Sequence, residues 1–226
     1  WRRVFFVDFH PWANARFHWK VPRRVVNMGL RAYMRLRHGL EVEGLENLEG
    51  EGPYILTPNH ASHMDLLSIA SSIPARRLHQ TFAVAAKDYF FTNPFMTFFS
   101  KHCLGAIPLD RKDRKGGAIT LLTRLLTELE RMWLIYFPEG TRSQDGKLQP
   151  FKRGVGIIAE RSNTPVLFLF IDGNSRLWPK GARWARPGRL TIHVGPVFLP
   201  GAGKDLYEEY AAWVKTIDPK VIPSPP

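Results

Sequence analysis

Two rhythms alternate along this chain. Short apolar runs of strand length are separated by segments whose apolar residues recur at helical spacing. Strands are predicted at Tyr54–Thr57, Thr81–Ala86, Leu104–Leu109, Trp133–Phe137, Val166–Ile171 and Leu190–Val194. Helices are predicted at Pro22–His38, Ser62–Ser71, Lys115–Met132, Gly154–Arg161 and Leu206–Ile217, with a helical or membrane-facing segment at Asp88–Ser100. The clearest is Lys115–Met132, where Ile119, Leu122, Leu125, Leu126 and Leu129 share one face. Residues 41–52, rich in Glu and Gly, read as a surface connector, and a Pro-rich tail closes the chain. The alternation predicts one α/β domain, with a mostly parallel central sheet flanked by helices. No internal repeat or sustained heptad is present.

Length agrees: 226 residues suffice for one sizeable core. No run approaches the ~20 apolar residues of a bilayer span. The single cysteine, Cys103, excludes an internal disulfide framework and a multi-cysteine zinc site, fits a reducing compartment, and reads as structural. The chain opens with Trp1 rather than Met, so a preceding targeting or membrane segment stays open.

Charge changes the picture more. Thirty-two Lys and Arg against 20 Asp and Glu give +12, which calls for an anionic partner. Residues 1–38 hold Arg2, Arg3, Arg16, Lys20, Arg23, Arg24, Arg31, Arg35 and Arg37 against Asp8 alone, interleaved with Trp1, Phe5, Phe6, Phe9, Trp12, Phe17, Trp19 and Tyr33. Cations for anionic headgroups and aromatics for the acyl boundary describe a membrane interface. On the predicted Pro22–His38 helix, Val25, Val26, Leu30, Ala32, Tyr33 and Leu36 form one face, while Arg24, Arg31 and Arg35 cluster opposite. That face reads either as packed on the core or as turned to lipid. No recognised nucleic-acid motif accompanies the charge.

Three segments that follow predicted strands carry the candidate chemistry, because α/β sheets gather ligand groups at strand ends. In Asn59–Asp65, His60 is the only histidine with an aspartate five positions on. An imidazole can take a proton from an alcohol near neutral pH, and a carboxylate on its other nitrogen fixes the tautomer. Residues five apart on a helix point about 140° from each other. His60 therefore belongs in the loop and Asp65 in the first helical turn, with Ser62 as a plausible cap. In Gly105–Arg111, Arg111 offers a guanidinium to a phosphate, or is simply one exposed cation among several. In Phe137–Ser143, Glu139, Gly140, Thr141 and Arg142 crowd one strand end: a close-approach glycine, an acceptor and donors to an anion.

Together these blocks resemble those of the glycerolipid acyltransferase family, that of the 1-acylglycerol-3-phosphate acyltransferases. His-x-x-x-x-Asp matches His60 and Asp65, the second block matches Gly105–Arg111, and Phe-Pro-Glu-Gly-Thr-Arg-Ser matches Phe137–Ser143 in full. A fourth, a proline-containing apolar strand, matches Thr164–Ile171. The likeness covers about residues 41–200 and implies an acyltransferase domain over 41–226, preceded by a membrane-associating segment over 1–40.

The resemblance implies transfer of a fatty acyl group from acyl-CoA or acyl carrier protein, as co-substrate, to the free hydroxyl of a lysolipid acceptor. The expected product is phosphatidic acid, for phospholipid biosynthesis. It implies His60 as general base, Asp65 as its orienting partner, and Arg111, Glu139, Gly140, Thr141 and Arg142 as holders of the acceptor. Pro165 would lie near the donor. Another lysolipid, or a non-catalytic membrane-binding role, is the alternative. The expected setting is peripheral, on anionic lipid at the cytoplasmic face of a membrane. No cofactor, metal or nucleic acid is expected, because direct transfer needs no Lewis acid. Backbone amides near His60 or Gly140 would stabilise the oxyanion.

Two aromatic groups stay ambiguous. Arg176, Trp178, Lys180, Arg183, Trp184, Arg186 and Arg189 suit headgroups or donor phosphates, or form a solvated loop. Phe90, Phe91, Phe95, Phe98 and Phe99 suit an acyl tunnel, or are core or membrane-contacting.

Overall fold

A computed structural model of the chain describes residues 17–86, 92–109, 116–201 and 203–223. Arg111, Phe90, Phe91 and residues 1–16 lie outside the described residues. Seven strands form one sheet: β1 (Glu41–Glu43), β2 (Tyr54–Pro58), β3 (Thr81–Ala86), β4 (Ala106–Leu109), β5 (Trp133–Ile135), β6 (Val166–Asp172) and β7 (Thr191–Phe198). Their order is β1-β7-β6-β2-β5-β3-β4. Strands β6, β2, β5, β3 and β4 are mutually parallel. Strand β7 returns antiparallel to β6, and β1 runs parallel to β7 at the edge. The chain is thus the expected single α/β domain with a mostly parallel sheet.

The flanking helices are α1 (Phe17–His38), α2 (Asp65–Ser72), α3 (Pro94–Phe99), α4 (Gly117–Glu128), α5 (Gly154–Ser162), α6 (Asn174–Leu177) and α7 (Leu206–Ile217). Strand β6 shows why helices are needed on both faces. Its Leu167, Leu169 and Ile171 join the core under α1 and α2, while Val166, Phe168 and Phe170 join the core under α4, α5 and α7. Successive side chains point to opposite faces, so an unbroken apolar run requires cover on both. Some helices are shorter than periodicity predicts. Helix α4 starts only after Gly116, held at φ +71°, and its last residue is Glu128.

Helix α1 turns much of its apolar face outward, one of the two readings its sequence leaves open. Its buried line is Arg23, Asn27, Met34 and His38, with Arg31 beside it, while Val25 is 62% and Leu36 89% exposed. Much of the apolar face therefore does not pack on the core. The polar groups turn inward because unpaired carbonyls lie beneath. Asn27 Nδ2 donates to Ala70 O at 2.6 Å, in the last turn of α2. Arg31 reaches Ile73 O, just past that helix, and Arg23 Nη2 donates to Thr81 O at 2.5 Å. Helix C-termini leave such carbonyls without partners, and amide or guanidinium donors satisfy them.

Phe95 and Phe98 of α3 are also exposed, at 74% and 49%, and Phe99 packs on the core. Among the described residues no helix is long and apolar enough to cross a membrane.

Beneath the site, Tyr210 of α7 is fully buried among Phe168, Phe151 and Trp213, and its Oη donates to Leu169 O at 2.7 Å. Burial pushes its phenol well above the ordinary range, so it stays a donor. Tyr210→Phe should cost about 1–2 kcal/mol in urea unfolding, because it removes one buried hydrogen bond without opening a cavity.

Candidate active site

Three neighbouring parallel strands, β6, β2 and β5, deliver the site at their shared C-terminal edge. Strand β2 runs out at Pro58, and Asn59 continues it with a side chain in place of a backbone rung. Its Nδ2 donates to Ile171 O at 3.2 Å, and its Oδ1 accepts from Ile171 N at 2.8 Å. The main chain is thereby free to turn away as the loop His60–Met64.

That loop wraps around Asp65, the first residue of α2. Asp65 has no solvent exposure, and Oδ2 accepts from His60 Nδ1 (2.8 Å), Ala61 N (2.8 Å) and Ser62 N (2.9 Å). Oδ1 accepts from Asn174 Nδ2 at 2.8 Å. The helix thus begins at Asp65 rather than Ser62, and the aspartate gathers the amides ahead of it. Ser62 Oγ accepts the Met64 amide at 3.1 Å and donates to Trp178 O at 2.8 Å. Because an ionised carboxylate only accepts, the His60 proton sits on Nδ1 and the lone pair on Nε2. The His60 side chain is 23% exposed, with Phe137 packed on its ring at 4.2 Å between centroids.

The turn after β5 is fastened to this loop twice. Glu139 Oε1 accepts from His60 N at 2.8 Å, and Ser143 N donates to His60 O at 2.7 Å. Glu139 is only 3% exposed, and its Oε2 is buried without a partner. Burial pushes its carboxyl up to about 8, a rise the His60 amide only partly offsets. Gly140 takes φ +69°, Thr141 is exposed, and Arg142 is half-buried. The Arg142 Nη1 lies 2.5 Å from both ring nitrogens of His63, whose ring packs on Trp178. Burial, then the Arg142 charge, lowers the His63 imidazole below its ordinary value. The guanidinium therefore meets a neutral ring rather than a carboxylate.

Backbone donors are unevenly committed. The amides of His60 through Met64 all reach protein acceptors: Glu139, Asp65 twice, Trp178 O and Ser62 Oγ. Gly140 N donates to Phe137 O. The Thr141 and Arg142 amides have no acceptor among the described residues.

The structure thus brings together His60, Asp65, Glu139, Gly140, Thr141 and Arg142, while Arg111 lies outside the described residues. Pro165 lies far from His60: its carbonyl accepts from Ile55 N, at the opposite end of β2. Five extended residues separate that point from His60, about 16 Å. Sequence reasoning missed Asn174. Its only signal was a polar residue just past the end of β6. The basic loop after it is tied to the site through Trp178, with Lys180, Arg183, Arg186 and Arg189 exposed and Arg183 over the Trp184 ring. Among the described residues no group of three or more His, Cys, Asp or Glu is placed to hold a metal.

A family model described as Acyltransferase matches residues 39–171. The chain is 31% identical over 143 residues to the chloroplastic 1-acyl-sn-glycerol-3-phosphate acyltransferase BAT2 of Brassica napus, spanning 63% of this chain and 40% of that protein. It is 30% identical over 184 residues to the 1-acyl-sn-glycerol-3-phosphate acyltransferase alpha of Bos taurus, 77% of this chain and 61% of that one. The chain thus spans about half the length of these curated relatives. The crystal structure of the 1-acyl-sn-glycerophosphate (LPA) acyltransferase PlsC from Thermotoga maritima is similar at TM-score 0.70 and 25% identity, covering 96% of this chain and 86% of that chain. With the matched region holding both the His60–Asp65 loop and the 137–143 turn, the chain belongs to the acyltransferase family.

Proposed function

We propose that the chain transfers a fatty acyl group from acyl-CoA or acyl carrier protein to the free hydroxyl of 1-acylglycerol-3-phosphate, giving phosphatidic acid. The observation that carries this reading is the His60–Asp65 pair, with its tautomer fixed and Nε2 directed away from the carboxylate. The names of the similar proteins support the acceptor.

Nε2 accepts the hydroxyl proton as the alkoxide oxygen attacks the thioester carbon. Negative charge collects on the carbonyl oxygen. The loop amides are already bonded to protein acceptors, which leaves the Thr141 and Arg142 amides as the donors for that oxyanion. The tetrahedral intermediate collapses, expels the thiolate, and the imidazolium returns its proton to sulfur. Asp65 stabilises that imidazolium through its bond to Nδ1. Arg142 holds acceptor phosphate, since no carboxylate neutralises it. Glu139 supports the reaction from behind, by holding the His60 amide.

The work takes place on a membrane surface, with the protein peripheral at the cytoplasmic face. The outward line of Val21, Val25, Met28 and Leu36, with Phe95 and Phe98, supports this, as does the net charge of +12.

Three outcomes follow. His60→Ala should lower thiol release from acyl-CoA with lysolipid present by about 10²–10⁴-fold while the circular dichroism spectrum is unchanged; retained activity rejects His60 as the base. Glu139→Gln should keep the acceptor for the His60 amide yet change the pH dependence of stability. In the folded chain the carboxyl ionises near 8, against an ordinary value of 4.5. Its contribution is present in full below about 4.5 and is lost as pH rises through 8. Wild type should weaken relative to Glu139→Gln by at most about 1.4 kcal/mol per pH unit across that window, read by urea midpoints. Finally, Val25→Glu with Leu36→Glu should release the protein from anionic vesicles in flotation while leaving its unfolding midpoint in place.

A further inference from the structure

Gly140 is the one residue in the 137–143 turn with left-handed backbone, and something occupies the space its missing side chain leaves. A Cβ there would stand 2.6 Å from Lys152 Nζ, 2.7 Å from Cε and 2.9 Å from Cδ. The lysine stem therefore runs along the turn, while the residue stays exposed at the surface. Its own amide donates to Pro138 O at 2.9 Å, which anchors its backbone beside the turn.

Lys152 makes no ion pair among the described residues. Within the turn Glu139 is buried and spends one oxygen on the His60 amide, and Asp145 just past it accepts from Ser143 Oγ and Lys147 N. Helix α5 starts two residues on, at the same edge of the sheet, with no acidic residue in its first turn. Arg142 presses on an imidazole rather than a carboxylate. Two cations thus flank Thr141, in a turn bonded at Glu139 and Ser143 to the two sides of His60. A lysine laid over a glycine without a counter-charge is arranged for an anion that arrives from outside.

We infer that Lys152 is a phosphate-binding residue of the acceptor site, acting with Arg142 on the headgroup of a phosphomonoester lysolipid. This rests on the proposed acyl transfer and adds its specificity. A phosphomonoester carries between about one and a half and two negative charges near pH 7, which suits two uncompensated cations. A phosphodiester headgroup carries one and bears a bulky substituent where the second cation would sit. Gly140 then acts through Lys152: any side chain at that position would displace the ammonium.

The test compares wild type, Lys152→Met and Lys152→Arg as full chains in detergent. Acceptors are lysophosphatidic acid and lysophosphatidylcholine, and equilibrium binding of glycerol 3-phosphate is measured by calorimetry. Lys152→Met should raise KM for lysophosphatidic acid about tenfold or more, as loss of one charged hydrogen bond implies. It should leave kcat within about threefold, and leave KM for lysophosphatidylcholine and for the acyl donor unchanged. Lys152→Arg should recover most of the loss. An unchanged KM for lysophosphatidic acid overturns the inference. So does an equal fall in kcat with both acceptors, which marks a structural role. If wild type acylates neither acceptor, the proposed function fails, and calorimetry decides the lysine separately. Glycerol 3-phosphate binding lost in Lys152→Met and kept in Lys152→Arg supports a phosphate site; no binding to wild type, or equal binding to all three, overturns it.

Discussion

A carboxylate sealed from water sets the terms for this site. Asp65 is wholly buried, and a buried charge is tolerable only if its lone pairs are filled. Four donors fill them: the His60 ring, the Ala61 and Ser62 amides, and the Asn174 side chain. Each belongs to a segment whose path is thereby fixed. The loop after β2 must fold back, α2 must begin at Asp65, and the chain after β6 must turn so that Asn174 faces inward. The imidazole orientation follows from satisfying that one group.

A second layer joins the two halves of the site. The turn after β5 grips His60 on both sides, through Glu139 to its amide and through Ser143 to its carbonyl. The two segments are thus held as one unit rather than as two independent loops. Burial also drives Glu139 toward its neutral form. Among the described residues no carboxylate forms an ion pair with Arg142 or Lys152.

Much of this could be read in the chain, and what could not has a physical cause. The strands were legible because β6 and its neighbours are apolar on both faces, a pattern that helices of this length do not need. The His60–Asp65 pair was legible because five-residue spacing on a continuous helix points two side chains apart, which forces a loop between them. Glu139 was recognisable as part of the turn, but exposure is a tertiary property, and nothing local says its carboxylate points back at a main-chain amide. Asn174 and Lys152 escaped because their partners, 109 residues away in one case and a bare glycine in the other, leave no periodic trace. The orientation of α1 stayed open between core and lipid for a related reason. Hydrophobic periodicity assumes water outside, and it counts no credit for carbonyls waiting at the end of a neighbouring helix.

The rims of the sheet carry a consequence of their own. One outer strand, β1, is three residues long and presents Glu41 and Glu43; the other, β4, contains Pro108, which has no amide proton to offer. Open rims invite pairing with a foreign strand, and short length, charge and proline each discourage it. A chain that gathers on a crowded two-dimensional surface raises its own local concentration steeply. On the membrane surface proposed for this chain, these blunted rims would keep neighbouring copies from stitching into a continuous ribbon.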